Sequence, residues 1–166
     1  DYSDRDLVLR HTLHSSTRNC DFNFMNLVSW SFIYGTQIAV HRGLLVVRFR
    51  FEGHTAYLPP LCAETYCHDE HSENYAAVLL DLFEDTEAQG HPFRMMGGTA
   101  EMLERLHTLL PGRFEATADP AFADYIYDRE SLASLAGKKL QSKRNHANRF
   151  ERTYPNFEFR PLTPEW

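Results

Sequence analysis

The sequence predicts an α+β fold, and three observations carry that prediction. Apolar residues recur at helical spacing in segments bounded by turn signals. Between Gln37 and Pro60 the period drops to two over short runs rich in β-branched and aromatic residues. Downstream, helix-like and strand-like segments alternate, which suits a mixed sheet flanked by helices better than a doubly wound parallel one.

The elements follow in order. Ser3 and Asp6 have the capping-box pattern and open a helix through "DLVLRHTLH", because serine oxygen and acid satisfy orphan amides of a first turn. "FNFMNLVSWSFIY" places Phe24, Leu27, Val28, Ser31 and Phe32 at helical spacing, with Trp30 expected in the core. "QIAVHRG", "LLVVRFRF" and "HTAYLPP" read as an antiparallel meander, joined by tight turns at Arg42-Gly43 and Glu52-Gly53. Ser72 caps a long helix, "ENYAAVLLDLFEDTEAQ", which Gly90 ends. A strand "PFRMMG" precedes a helix "AEMLERLHTLL", capped by Thr99 and stopped by Pro111-Gly112. "RFEATA" and "DYIYD" read as strands, a basic helical segment follows Ser131, and "NFEFRPL" closes as a strand.

A length of 166 residues suits one compact domain with a sizeable core. No run approaches the roughly 18 apolar residues of a membrane span, and no basic-then-apolar leader precedes the first helix. A soluble cytoplasmic protein without a transmembrane segment is the expectation. Cys20, Cys62 and Cys67 form an odd, sparse set that fits a reducing compartment better than a disulfide framework.

The net charge of −6 argues against indiscriminate coating of nucleic acid, but it is unevenly distributed. Neither Lys nor Arg occurs from Phe51 to Phe93, whereas all three lysines, Lys138, Lys139 and Lys143, fall in "GKKLQSKRNHANRF" together with Arg144 and Arg149. Gly137 either separates a short "ESLASLA" turn from a second helix or sits inside one helix at a cost of about 1 kcal/mol. Taken as helical from Lys139, the segment aligns Lys139, Lys143, Ala147 and Phe150 on one stripe. Lysine stems covering core edge while their heads reach water explain this arrangement. The alternative is a cleft in which the ammonium groups and Arg144 hold phosphate or carboxylate.

The stretch from Asp124 to Glu165 carries a recognisable series of motifs: "DYIY" at Asp124 to Tyr127, "LASLAGKK" at Leu132 to Lys139, "KRNH" at Lys143 to His146, then Phe150. With "FNFMNLVSW" and "YLPPL" upstream, it resembles the bacterial family classed as phosphatidylglycerol lysyltransferase C-terminal-like over essentially the whole chain. The resemblance implies an acyltransferase fold of the Gcn5-related N-acetyltransferase type, a mixed sheet flanked by helices. Residues 1–166 would form a single acyltransferase-like domain, the first of a tandem pair, with 131–166 leading toward a second such domain. Relatives of this kind move an aminoacyl group from aminoacyl-tRNA to a lipid or to peptidoglycan.

On that basis Lys139, Lys143, Arg144 and Asn145 are the candidate residues for holding an anionic donor or acceptor, with aminoacyl-tRNA or an anionic lipid as candidate partners. Acetyl-CoA enzymes of this fold seat pyrophosphate on a Gly-rich turn. The corresponding loop, "PPLCAETYCHDEHSEN", has no glycine, so no cofactor is expected. The same loop offers Cys62, Cys67, His68 and His71, residue types that ligate zinc, but C-x4-C-H-x2-H is not a standard spacing and no metal is expected. No G-x-S-x-G elbow or diagnostic His pairing marks a nucleophile, so catalytic residues stay unassigned. Two readings stand at this point: half of an acyl or aminoacyl transferase, inactive by itself, or a non-catalytic scaffold or nucleic-acid- or lipid-binding module.

Overall fold

Two left-handed turns set the sheet. Arg42 and Gly43 have φ of 49° and 81°, and Glu52 and Gly53 have φ of 50° and 79°. Positive φ at both central residues gives the twist that antiparallel strands need in a two-residue hairpin, and glycine takes the second position without a Cβ clash. The turns join β1 (Gln37–His41), β2 (Leu44–Phe51) and β3 (His54–Tyr57) into the expected antiparallel meander. A short β4 (Leu61–Cys62), unforeseen from the sequence, pairs antiparallel with the start of β2.

The computed structural model describes residues 1–13, 15, 19–63, 72–161 and 163, and it divides into two units, Asp1–Asp124 and Tyr125–Trp166. In the first unit α1 (Arg5–Thr12) follows a 3₁₀ turn at Tyr2–Asp4. The box that opens this region is formed by Asp1 and Asp4, not by Ser3 and Asp6. The second expected helix is broken into α2 (Phe24–Ser29) and α3 (Ser31–Tyr34) at Trp30. The break turns Trp30 outward, where it is half exposed; it does not enter the core.

Beyond the sheet, α4 (Ser72–Ala88) ends before Gly90, which has φ of 74°, and α5 (Ala100–Leu109) starts on Thr99, whose hydroxyl accepts from the Met102 amide. The strand expected at "PFRMMG" reduces to one parallel bridge between Tyr57 and Met95. "RFEATA" forms no strand.

β2 is buried on both faces. Leu44 and Val46 pack with Val78 and Leu79 of α4 and Leu106 of α5. Leu45 and Val47 pack on the opposite face with Phe22, Leu58 and Leu61, with Leu27 of α2 alongside. The architecture is therefore helix and antiparallel sheet in an α+β arrangement, and no helix among the described residues is long and apolar enough to cross a membrane.

In the second unit Asp128 caps α6 (Arg129–Ser134) by accepting from the Ser131 amide at 2.8 Å. Leu135 and Gly137 both take left-handed backbone, with φ of 50° and 82°, and these stop α6. α7 (Gln141–Thr153) starts afresh, so Gly137 separates two helices. The segments expected as strands at 124–128 and 156–161 carry no strand pairing.

The β1–β2 turn is fastened to α4 by one carboxylate. His41 Nε2 lies 2.6 Å and Arg42 Nε 2.8 Å from Asp81 Oδ2. The Arg42 hydrogen bond, with help from His41, holds the Asp81 carboxyl below its ordinary value. A carboxyl depressed in the folded state stabilises the fold above its unfolded value, and that contribution is lost as pH falls through the folded-state value. Thermal melts of the protein and of Asp81→Asn are therefore expected to differ at neutral pH and to converge once the pH drops below the ordinary carboxylate range of about 4. A gap between the melting temperatures that stays constant with pH would contradict this role.

Candidate functional site

The basic segment keeps its lysines in solvent and uses Arg144 for structure. The Arg144 Nη1 group donates to the carbonyl oxygen of Leu135 and, at 3.4 Å, to that of Gly137. These two carbonyls belong to the left-handed connection after α6, so the guanidinium holds the turn that aims α7. Arg144 is the half-buried member of the group, while Lys138, Lys139, Lys143 and Asn145 are exposed. Lys143 Nζ stands 5.0 Å from the centre of the Tyr127 ring, a cation–π distance that fixes where this ammonium points. The tyrosine motif upstream of the helix thus has a definite use.

Lys139 sits in the turn ahead of α7 because the helix begins at Gln141. It therefore does not share a helical stripe with Lys143, as a helix starting at Lys139 would require. Both residues instead flank the start of α7. The N-cap is Leu140, which supplies no side-chain hydrogen bond, and no acidic residue lies in the first turn. The first amides of a helix lack internal partners and carry the positive end of its dipole. Lysines gathered at this end add like charge to like charge, an arrangement that favours an anion.

Two other regions bear on function. In the first unit a cleft of about 550 Å³ is walled by Val8, Phe24, Leu27, Ile38 and Leu82 and ends at Gln37, Arg48, Tyr57 and Asp85. Gln37, Arg48 and Tyr57 are register partners across β1, β2 and β3. Arg48 donates to Gln37 Oε1 and lies 3.7 Å from Asp85, and the Tyr57 hydroxyl donates to Asp85 at 3.2 Å. Burial, followed by the Asp85 charge, pushes the Tyr57 phenol above its ordinary value, so it remains a donor. These polar groups satisfy one another, as a structural network does.

The second region was not legible in the sequence. Asp124, first residue of the "DYIY" motif, accepts from the Cys20 amide at 2.9 Å and from its Sγ at 3.0 Å. These bonds hold the Asp124 carboxyl below its ordinary value. The hydrogen bond to that carboxylate, then burial, pushes the exposed Cys20 thiol up to about 11. Only the two residues' distance in space, not their spacing in sequence, reveals the pair.

Of the zinc-type residues, Cys62 is disulfide-bonded, which departs from the expected set of free thiols and removes one thiolate from any metal set. Cys67, His68 and His71 lie outside the described residues, as does half of the glycine-free loop, residues 64–71. Among the described residues no group of three or more His, Cys, Asp or Glu side chains could hold a metal.

Comparisons place this geometry among known proteins. The model of the family described as "Phosphatidylglycerol lysyltransferase, C-terminal" matches residues 14–166. A crystal structure of a conserved protein of unknown function from Bacteroides thetaiotaomicron aligns with 44% identity and a TM-score of 0.83. The alignment covers 99% of this chain and 53% of that one, so the chain spans about half the length of the solved protein. A search of curated proteins gives no match.

Because the thiolate is the reactive form, Cys20 is expected to alkylate slowly with iodoacetamide at pH 8, and Asp124→Asn to speed it by about tenfold or more. Peptide mass spectrometry at Cys20 reads the rate. Equal rates in the two proteins would show that Asp124 does not control the thiol.

Proposed function

The chain belongs to the phosphatidylglycerol lysyltransferase C-terminal family, and from that premise we propose that it is one acyltransferase-like half of a longer acyl- or aminoacyl-transferring enzyme, in which the start of α7 holds an anionic substrate. The fold type proposed is that of the Gcn5-related N-acetyltransferases, with which the α+β arrangement is compatible. Lys139, Lys143 and Asn145 contact the anion, and Arg144 contributes charge while keeping the α6–α7 turn in shape. The phosphates of an aminoacyl-tRNA or the headgroup of an anionic lipid supply the matching charge.

The observation that supports this most is the uncapped, acid-free first turn of α7 beside all three lysines of the chain. A helix selected for stability alone would carry acids there. The work of such a half is positioning: it fixes an activated ester relative to an amine or hydroxyl acceptor, which lowers the entropic part of the barrier. No described residue takes a nucleophile's role, so the chemistry is assigned to the complete enzyme. The second reading, a non-catalytic scaffold, draws on Arg144, whose bonds to the Leu135 and Gly137 carbonyls are structural.

The complete protein is to be titrated with tRNA and, separately, with phosphatidylglycerol-containing vesicles at several salt concentrations, beside a Lys139→Ala/Lys143→Ala variant. Affinity is expected to fall as salt rises, and the salt slope to become shallower by about 1 for each phosphate-contacting lysine removed. Unchanged affinity and slope in the variant for both probes would overturn the anion-binding role and leave the scaffold reading.

A further inference from the structure

Among its described residues the second unit presents an exposed apolar surface. None of its described residues is buried, and a segment this short rarely stands alone without a staple or a partner. At the far end of α7 from the lysines, Phe150 and Tyr154 lie one turn apart with ring centres at 5.1 Å. The chain then hooks back through Pro155 and Asn156, with the Phe157 amide donating to the Tyr154 carbonyl at 3.1 Å, and Phe157 packs edge-on to Phe150, also at 5.1 Å. The three rings are 48%, 58% and 48% exposed. They line a notch of about 530 Å³ that includes Thr153.

We propose that this aromatic hook is the docking surface for a further domain of the same polypeptide. Two observations select that occupant. The Bacteroides protein matches this chain along 99% of this chain's length and yet has nearly as much chain again, so a fold of this kind occurs in a polypeptide about twice as long. The surface is also a notch with aromatic walls and a polar edge, a shape that receives a protruding side chain from a folded partner, as the cores of lasting protein interfaces do. The proposal uses residues distinct from the lysines and survives failure of the anion-binding role.

The test is hydroxyl-radical footprinting of the polypeptide translated from the complete reading frame. Oxidation of Phe150, Tyr154 and Phe157 is compared with a synthetic peptide spanning 141–159, and sedimentation velocity is run alongside. The three residues are expected to oxidise at least about tenfold more slowly in the monomeric protein than in the peptide, and a Phe150→Asp variant to lose that protection at Tyr154 and Phe157 while remaining folded by circular dichroism. Equal rates in protein and peptide overturn the proposal. So does protection that appears only as a dimer forms, which would assign the surface to a second copy, and so does a reading frame that encodes no further domain. Protection that Phe150→Asp leaves intact would likewise show that the hook is not the contact.

Discussion

Four successive side chains of β2, Leu44 to Val47, are buried, alternately toward α4 and α5 and toward α2. That two-sided burial is the constraint on which the rest of residues 1–124 depends. A strand with both faces covered cannot slip by one residue without pushing each side chain onto the wrong layer. Its register is therefore fixed, and the hairpin turns, the Gln37–Arg48–Tyr57 row and the clasp of Asp81 on His41 and Arg42 take their positions from it.

The segment from Tyr125 onward obeys a different logic. None of its described residues is buried, and its order comes from local devices: the Asp128 cap, left-handed backbone at Leu135 and Gly137, and the Arg144 guanidinium on the carbonyls of that turn. Local devices can hold a shape while leaving surfaces free. Lysines crowd one end of α7, where they add charge to the positive end of its dipole, and exposed aromatic rings crowd the other.

The sequence made the helices α4 and α5 legible because their apolar period is long and their stop and cap residues, Gly90 and Thr99, have direct physical roles. The meander was legible because glycine at the second turn position has few other uses. What failed, among the described residues, were the strands expected at 113–118, 124–128 and 156–161. Their β-rich composition describes a side chain suited to a half-buried sheet surface, but a strand exists only if a partner strand is present, and composition does not report partners. Tyr125 is 89% and Phe159 93% exposed, so those residues have no sheet to join among the described residues. Trp30 failed for another reason: it was expected in the core, but the helix breaks at this residue and leaves it half exposed.

The candidate site was half legible. Charge clustering and the family motifs pointed to the stretch from Lys138 to Asn145, and the alternatives at Gly137 were visible from glycine's conformational freedom. The division of labour between Lys143 and Arg144 was not, since it depends on a left-handed leucine and on Tyr127 meeting Lys143 in space. The central claim is that the start of α7 is where an anion sits, and amide chemical shifts of the complete protein titrated with inorganic phosphate test it most directly. The account predicts saturable shifts at Ser142 and Lys143 that weaken as chloride is raised; shifts confined to other residues, or none, would contradict it.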